Sequence, residues 1–255
     1  MIQECSAVHS VEEIASNIFQ LSFRSPSISR DVKPGQFVNV KVGNGIVPLL
    51  RRPFSIFSAE GNILSIIFNV VGLGTKLLSE KKPGEDLDVL GPLGSGVFPL
   101  DDASYETALL VAGGLGVAPL PFLTSRVPTA KKIYSFIGAR TSAQLVKKGL
   151  RNIQSATDDG SEGIHGTVVT LLQSFTAQHR IESPRIYACG PTPMMRAVKE
   201  FAFEHKIPCF FALECEMACG IGLCQGCPVE MTNSGKKFSL VCKDGPVFEA
   251  STVSF

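Results

Sequence analysis

Four cysteines, Cys215, Cys219, Cys224 and Cys227, fall within thirteen residues, and Cys242 follows them. The stretch Cys219-Gly-Ile-Gly-Leu-Cys224-Gln-Gly-Cys227, taken with Cys242, reads C-x4-C-x2-C-x14-C. Its first three spacings match the plant-type [2Fe–2S] pattern. A short loop that wraps two irons must present several thiolates at once. Gly220, Gly222 and Gly226 let the backbone approach the metal and aim N–H groups at its sulfurs, which tunes the potential of an anionic centre. A later strand, Phe238–Cys242, is suited to bring the fourth ligand. The expected metal ligands are therefore Cys219, Cys224, Cys227 and Cys242. The alternative is a structural zinc site, but zinc favours paired C-x2-C knuckles and only one such pair occurs here. Cys215 is open to a role as substitute ligand, but reads more simply as a small buried residue beside the metal.

Two further patterns suit phosphate. Arg51-Arg-Pro-Phe-Ser55 heads a strand, where an arginine aimed by Pro53 can neutralise a pyrophosphate and Ser55 adds a neutral hydrogen bond. Gly72-Leu-Gly-Thr75 opens a helix, and a glycine turn at a helix N-terminus favours anions. Each alone is weak, Arg-x-x-Ser being usually a surface strand. Together, inside a barrel-like zone upstream of a dinucleotide fold, they point to a flavin dinucleotide site.

A third pattern, Gly113-Gly-Leu-Gly-Val-Ala-Pro119, follows a strand and precedes a helix, as a pyrophosphate loop should. It is not the standard G-x-G-x-x-G, and a plain strand–helix turn is the competing reading. Cys189-Gly-Pro-Thr-Pro-Met194 lies at a second strand end before a helix, so both loops are expected to face one crevice at the carboxyl ends of a parallel sheet. Gly113, Gly114, Gly116, Cys189 and Gly190 are the expected NAD(H) contacts. Cys189 is placed to touch a nicotinamide ring, with no base beside it to make it a nucleophile. Arg140 suits a 2′-phosphate and Asp158-Asp-Gly-Ser161 a ribose, but a surface arginine and a plain turn explain them equally. The choice between NADH and NADPH stays open on this chemistry. His9, His165, His179 and His205 are scattered and read as solvated or structural.

These motifs need elements to hold them. Residues 1 to about 100 read as short strands and turns: patchy alternation over Val11–Phe23, then Gln36–Val42, Ser55–Ser58, Ile63–Val71 and Asp86–Leu90, with Thr75–Lys82 as the one helix. This predicts a small antiparallel barrel. Beyond it, apolar runs at Thr107–Ala112, Lys132–Gly138 and Arg185–Cys189 alternate with helical stretches at Pro119–Ser125, Ser142–Leu150, Val168–Gln178 and Pro193–His205. Such alternation predicts a doubly wound parallel sheet. A short Gly- and Cys-rich segment with a tight Lys243-Asp-Gly-Pro246 turn follows. The expected fold is multidomain, β plus α/β: an FAD-binding β-barrel over 1–102, an NAD-binding α/β domain over 103–210 and a [2Fe–2S] domain over 211–255.

Composition narrows the function. The 255 residues carry 24 Lys+Arg against 23 Asp+Glu, a net charge of +1, which argues against nucleic-acid binding. Hydrophobic content of 44% with 18% charged residues excludes a disordered chain. Met1–Ser10 has no apolar core of a signal peptide, so the eight cysteines are expected to be reduced and cytoplasmic, serving metal or redox chemistry. The apolar stretch Leu109–Leu123 is too short, and too rich in glycine and proline, to insert in a membrane.

In this order the motifs resemble the ferredoxin-reductase superfamily. More narrowly, Met217-Ala-Cys-Gly-Ile-Gly-Leu-Cys-Gln-Gly-Cys227 and Val241-Cys-Lys-Asp-Gly-Pro-Val-Phe248 are similar to the electron-transfer subunits of NAD-linked (class 1B) dihydroorotate dehydrogenases. The resemblance covers nearly the whole chain. It implies FAD contacts from Arg52, Pro53, Phe54 and Ser55, from Ile67, Phe68 and Asn69, and from Gly74 and Thr75, with the four cysteines as cluster ligands. The family often has a Tyr-Arg type pair where this chain has Phe68-Asn69, which predicts one polar or charged flavin contact fewer, and Cys215 is not a usual family position. The resemblance also implies an FMN-containing catalytic partner subunit, two copies of each chain, in pyrimidine (UMP) biosynthesis, with no dihydroorotate oxidation by this chain alone. Two rival readings remain: the flavin subunit of an NAD(P)H:ferredoxin oxidoreductase or hydrogenase complex, and a zinc-stabilised regulatory subunit.

Overall fold

The computed structural model describes every residue except Asn44, Ile46, Asn233 and Ser234. Its first half is a seven-stranded antiparallel sheet: β1 (Ile2–Ala15), β2 (Ile18–Arg24), β3 (Phe37–Lys41), β4 (Arg52–Ser55), β5 (Ser58–Glu60), β6 (Ile63–Asn69) and β7 (Asp86–Leu93), in the order β4-β3-β7-β1-β2-β6-β5. Alternate residues such as Leu21, Phe23, Val38, Val40, Leu64 and Ile66 point inward and curl the sheet around one core. The curl brings β4 against β6, with the Phe54 and Phe68 rings 5.7 Å apart. Two short helices accompany it, α1 (Pro26–Ser29) and α2 (Leu73–Ser79), so the zone holds one helix more than expected.

The expected strand over Ser55–Ser58 is instead a corner between β4 and β5. Ile56 enters the barrel core, whereas its neighbour Phe57 enters the core shared with the second half. The patchy stretch Val11–Phe23 resolves into the β1–β2 hairpin, turned at Asn17 with φ of 56°.

The second half alternates β8 (Thr107–Gly113), α3 (Leu120–Arg126), β9 (Lys132–Ala139), β10 (Ile153–Thr157), β11 (Ile164–His165), α4 (Val168–Gln178), β12 (Pro184–Cys189), α5 (Thr192–Glu204) and β13 (Cys209–Ala212). With β16 (Val247–Glu249), the sheet order is β11-β10-β9-β8-β12-β13-β16, parallel except for that edge strand. Helices α4 and α5 pack on one face against Leu109, Val111 and Phe136, and α3 packs on the other against Ala108 and Leu110. The expected helix over Ser142–Leu150 is only a 3-10 turn, Ser142–Gln144. Leu145 turns extended, at φ −74° and ψ 119°, so that both Leu145 and Val146 enter the core.

The C-terminal segment adds the hairpin β14 (Pro228–Glu230) and β15 (Phe238–Leu240), then β16 (Val247–Glu249). Because β16 pairs with β13, this segment is anchored to the parallel sheet on both sides of the cysteines. Among the described residues, no helix is long and apolar enough to cross a membrane.

Candidate functional site

Curling of the barrel opens a cleft of about 370 Å³ whose walls include Pro53, Phe54 and Ser55 of β4, Ile67, Phe68 and Asn69 of β6, and Thr75 of α2. Phe68 itself points into the barrel core beside Phe19, so it supplies wall but no polar contact. Arg52 and Gly74 do not line this cleft. Arg52 donates from Nη1 to the Leu50 carbonyl at 2.8 Å, and a Cβ on Gly74 would lie 3.5 Å from its Nε, so the two sit side by side. The Thr75 hydroxyl accepts the Val71 N–H at 2.9 Å and the Gly72 N–H at 3.3 Å, capping α2 from within. These local bonds engage the Thr75 hydroxyl within its own turn.

A second cleft, about 680 Å³, lies outside the carboxyl ends of β8 and β12, where the strand order reverses. Gly113, Gly114, Gly116 and Gly190 line it, as do Arg140 and Asp158. Gly116 is obligatory for steric reasons, since a Cβ there would collide with the Cys189 carbonyl. Cys189 does not line the cleft. It is fully buried behind it, and burial followed by the nearby Glu214 carboxylate pushes its thiol well above the usual range, which excludes a resting thiolate nucleophile.

The two clefts meet. Asn69, Leu115 and Glu214 line both of them, and Glu214 Oε1 lies 3.8 Å from Cys189 Sγ. Glu214 is open to solvent through the clefts, yet the protein around it pushes its carboxyl up, an effect partly offset by the Cys189 thiol. Sequence reasoning missed Glu214. The available signal was an acid placed just past the apolar run Cys209-Phe-Phe-Ala-Leu213, at the carboxyl end of a buried strand.

The cysteines form a nest against the barrel. The Cys219 sulfur accepts N–H groups from Ile221 at 3.5 Å and Cys224 at 3.4 Å. Cys242 accepts from Gly222 at 3.2 Å, Cys224 from Gly226 at 3.4 Å, and Cys227 from the Cys242 N–H at 3.5 Å. The sulfurs of Cys227 and Cys242 are 3.1 Å apart, and Cys219 faces Cys224. Burial alone would raise the Cys219 thiol, but the N–H groups of Cys224 and Ile221 bring it down to about 6, whereas burial and the Cys227 sulfur push Cys242 up to about 12. Asn39, a buried side chain on β3, donates to the Cys219 carbonyl at 3.2 Å and ties the loop to the barrel. A Cβ on Gly220, at φ of 68°, would strike Asn39.

Among the described residues, no three His, Cys, Asp or Glu side chains converge on one point as a single ion requires. Two pairs of thiols under N–H donors fit a two-iron cluster, in which each iron takes two cysteines. Cys215 lines the first cleft, and burial, then the Cys227 thiol, push its own thiol up to about 12.

Comparison with known proteins agrees with this geometry. Residues 214–254 match the iron–sulfur cluster binding domain of dihydroorotate dehydrogenase B. The chain is 40% identical to the dihydroorotate dehydrogenase B (NAD(+)) electron transfer subunit of Geobacillus sp. (strain WCH70), with 99% of each covered, and 38% identical to that of Bacillus caldolyticus, with 98% of each covered. Among solved structures, it is similar to an NADH-dependent reduced ferredoxin-NADP oxidoreductase, at a TM-score of 0.86 and 28% identity, covering 98% of this chain and 90% of that one. Phthalate dioxygenase reductase shares the fold at a TM-score of 0.62 and 17% identity, covering 97% of this chain and 76% of that one. The chain belongs to the family of dihydroorotate dehydrogenase B (NAD(+)) electron transfer subunits.

Proposed function

We propose that this chain transfers electrons between an FMN-containing dihydroorotate dehydrogenase catalytic subunit and NAD+, as part of pyrimidine (UMP) biosynthesis in the cytoplasm. The observation that carries the reading is the contiguity of the three sites: the two clefts share Asn69, Leu115 and Glu214, and the stretch 213–217 runs from the first cleft to the cysteine nest. FAD, a [2Fe–2S] cluster and NAD(H) are its cofactors; when bound, the cluster exchanges single electrons, the flavin one or two, and the nicotinamide two as hydride.

The chain's own residues bind, orient and exclude water. Pro53, Phe54, Ser55, Ile67, Phe68, Asn69 and Thr75 would hold the flavin, with Arg52 and Gly74 adjoining at the turn of α2. Gly113, Gly114, Gly116 and Gly190 would admit the nicotinamide dinucleotide, and Cys189 would support that floor through Glu214. Cys219, Cys224, Cys227 and Cys242 would hold the irons. No base–carboxylate clamp for dihydroorotate is among the motifs, so substrate oxidation belongs to the partner. Exposed Cys224 and Leu223, the latter 78% exposed, give the nest an apolar outer edge on which the partner would dock. Two copies of each subunit complete the assembly.

Purified alone, the chain is expected to reduce artificial acceptors with NADH but not to oxidise dihydroorotate. Adding the FMN subunit should restore dihydroorotate-dependent NAD+ reduction. Robust turnover of dihydroorotate by the isolated chain would sink the proposal. The likeness to the ferredoxin-NADP oxidoreductase favours a second reading, a flavin subunit serving ferredoxin. Co-purification separates the two, since an FMN protein is expected and a ferredoxin-linked complex would support the alternative.

A further inference from the structure

The two halves of the chain meet along a seam that is apolar on one stretch and polar on the next. Ile18, Phe57 and Ile67 of the barrel pack into the core of the second half. Beside them, Gln20 and Ser22 of β2 and Ser65 of β6 are more than nine-tenths buried, yet they line a third cavity, of about 710 Å³. A seam that only held two halves together would be filled with apolar side chains, because burying a polar group costs free energy unless it is hydrogen-bonded. The cavity is the size of a small-molecule site, and none of these polar residues lines either of the two clefts already described.

The polar groups form a relay. Lys148 Nζ donates to Gln20 Oε1 at 2.8 Å, Gln20 Nε2 donates to Ser22 Oγ at 3.3 Å, and the Ser22 and Ser65 hydroxyls share one bond of 2.9 Å. Two hydroxyl protons serve that single bond, so one of them has no acceptor among the described residues. A buried donor is thus left over on the cavity wall. Lys148 is fixed by its turn: a Cβ on Gly149 would press on Pro121, so the turn lies directly on α3. Arg126, at the end of α3, also lines the cavity. Its guanidinium lies 5.3 Å from the centroid of the Phe122 ring and makes no hydrogen bond or ion pair among the described residues. Glu60 is the one carboxylate on the described wall, and it is paired with neither Arg126 nor Lys148.

Free guanidinium and ammonium donors suit a phosphate, whereas a spare hydroxyl donor and a free carboxylate suit hydroxyl groups. We infer that this cavity binds a sugar phosphate, with Arg126 and Lys148 taking the phosphate and the Ser22–Ser65 pair and Glu60 taking the sugar hydroxyls. The site exists only where β2, β5 and β6 face α3 and the turn at Lys148, so its occupant holds the barrel to the second half. No bond forms or breaks there, and both clefts stay free.

The test is calorimetric titration of the cofactor-loaded full chain with ribose 5-phosphate, inorganic phosphate and ribose, under saturating NAD+ throughout. Ribose 5-phosphate is expected to fill one site per chain with a Kd below about 1 mM, and inorganic phosphate and ribose each to bind at least about tenfold more weakly. Arg126→Gln should weaken ribose 5-phosphate by about tenfold or more through loss of a charge-assisted bond, with flavin content, iron content and NADH reduction of an artificial acceptor unchanged. Ser65→Ala should weaken ribose 5-phosphate by about threefold or more and leave inorganic phosphate unchanged. Absence of saturable binding up to about 10 mM ribose 5-phosphate would overturn the inference, the seam then holding water only. Wild-type affinity in Arg126→Gln would overturn it too, as would inorganic phosphate binding as tightly as the sugar phosphate. If Ser65→Ala does not fold, Lys148→Met is judged by the criterion set for Arg126→Gln. A purified chain lacking flavin and iron would refute the proposed function instead, and the same titration, with the same criteria, then judges this site.

Discussion

The second cleft, proposed for the nicotinamide, rests on β8 and β12, whose residues are nearly all shielded from solvent, whereas no strand or helix occurs between Leu213 and Cys227. The cleft floor is set by long-range pairing, such as Ala112 of β8 beside Cys189 of β12. The nest is set by N–H groups pointed at sulfur, some within one loop, as from Ile221 and Cys224 to Cys219, and some across to the next strand end, as from Gly222 to Cys242 and from Cys242 to Cys227. A cleft of the first kind stands before its ligand arrives. A nest of the second kind crowds thiols onto a segment without strand or helix, so metal binding is expected to supply much of its local stability.

The sharpest way to break this contrast is Cys227→Ser. Nearly complete loss of iron is expected, with the flavin retained because none of the four expected iron ligands lines the first cleft. Parallel loss of both, measured by metal analysis and flavin absorbance, would show that the regions are not separable. Next comes Gly116→Ala. Its Cβ meets the Cys189 backbone, so the turn must shift, at a cost of about 1–3 kcal/mol. A rise of about tenfold or more in KM for NADH with unchanged iron content is expected. A smaller effect follows from stripping iron with a chelator: amide protection should fall about tenfold across 218–228 while β8 keeps its own.

The smallest effect concerns the seam leading into the parallel sheet. Arg185 grips Asp102 with two hydrogen bonds, at 2.7 and 2.9 Å, and with Ser104 holds the Asp102 carboxyl well below the usual carboxylate range. A carboxyl lowered on folding contributes stability above its unfolded value and loses it as the pH falls. The parent should therefore exceed Asp102→Asn in stability at pH 7 and converge with it below about pH 4. Because the Asp102 side chain is 46% exposed, solvent screening keeps that margin small. Thermal unfolding across pH measures it, and a margin that widens in acid would contradict the assignment.

Legibility in the sequence follows the same divide. Helix α4 could be read to its ends, because Thr167 caps it, accepting the Thr170 N–H at 3.1 Å, and its apolar stripe is local. Strands β8 and β12 were legible as short apolar runs, since a parallel strand buried on both faces leaves no other pattern. The spacing of Cys219, Cys224 and Cys227 is local too, and the structure sets the Cys227 sulfur 3.1 Å from that of Cys242. Asn39, Glu214 and the corner at Ile56–Phe57 were not legible. Each takes its role from a distant partner: the cysteine loop for Asn39, a second cleft for Glu214, and two separate cores for Ile56 and Phe57. The turn at Ser142–Gln144 belongs with them, because burial of Leu145 and Val146 overrides helix propensity there.

The measurement that tests the account most directly is the visible spectrum of the purified chain, taken with metal analysis before and after anaerobic addition of NADH. The expected result is flavin bands over broad iron–sulfur absorbance, about two irons per chain, and bleaching of both features by NADH. A colourless chain carrying zinc, or a flavin that NADH reduces while the iron–sulfur absorbance stays oxidised, would contradict electron transfer through the three sites.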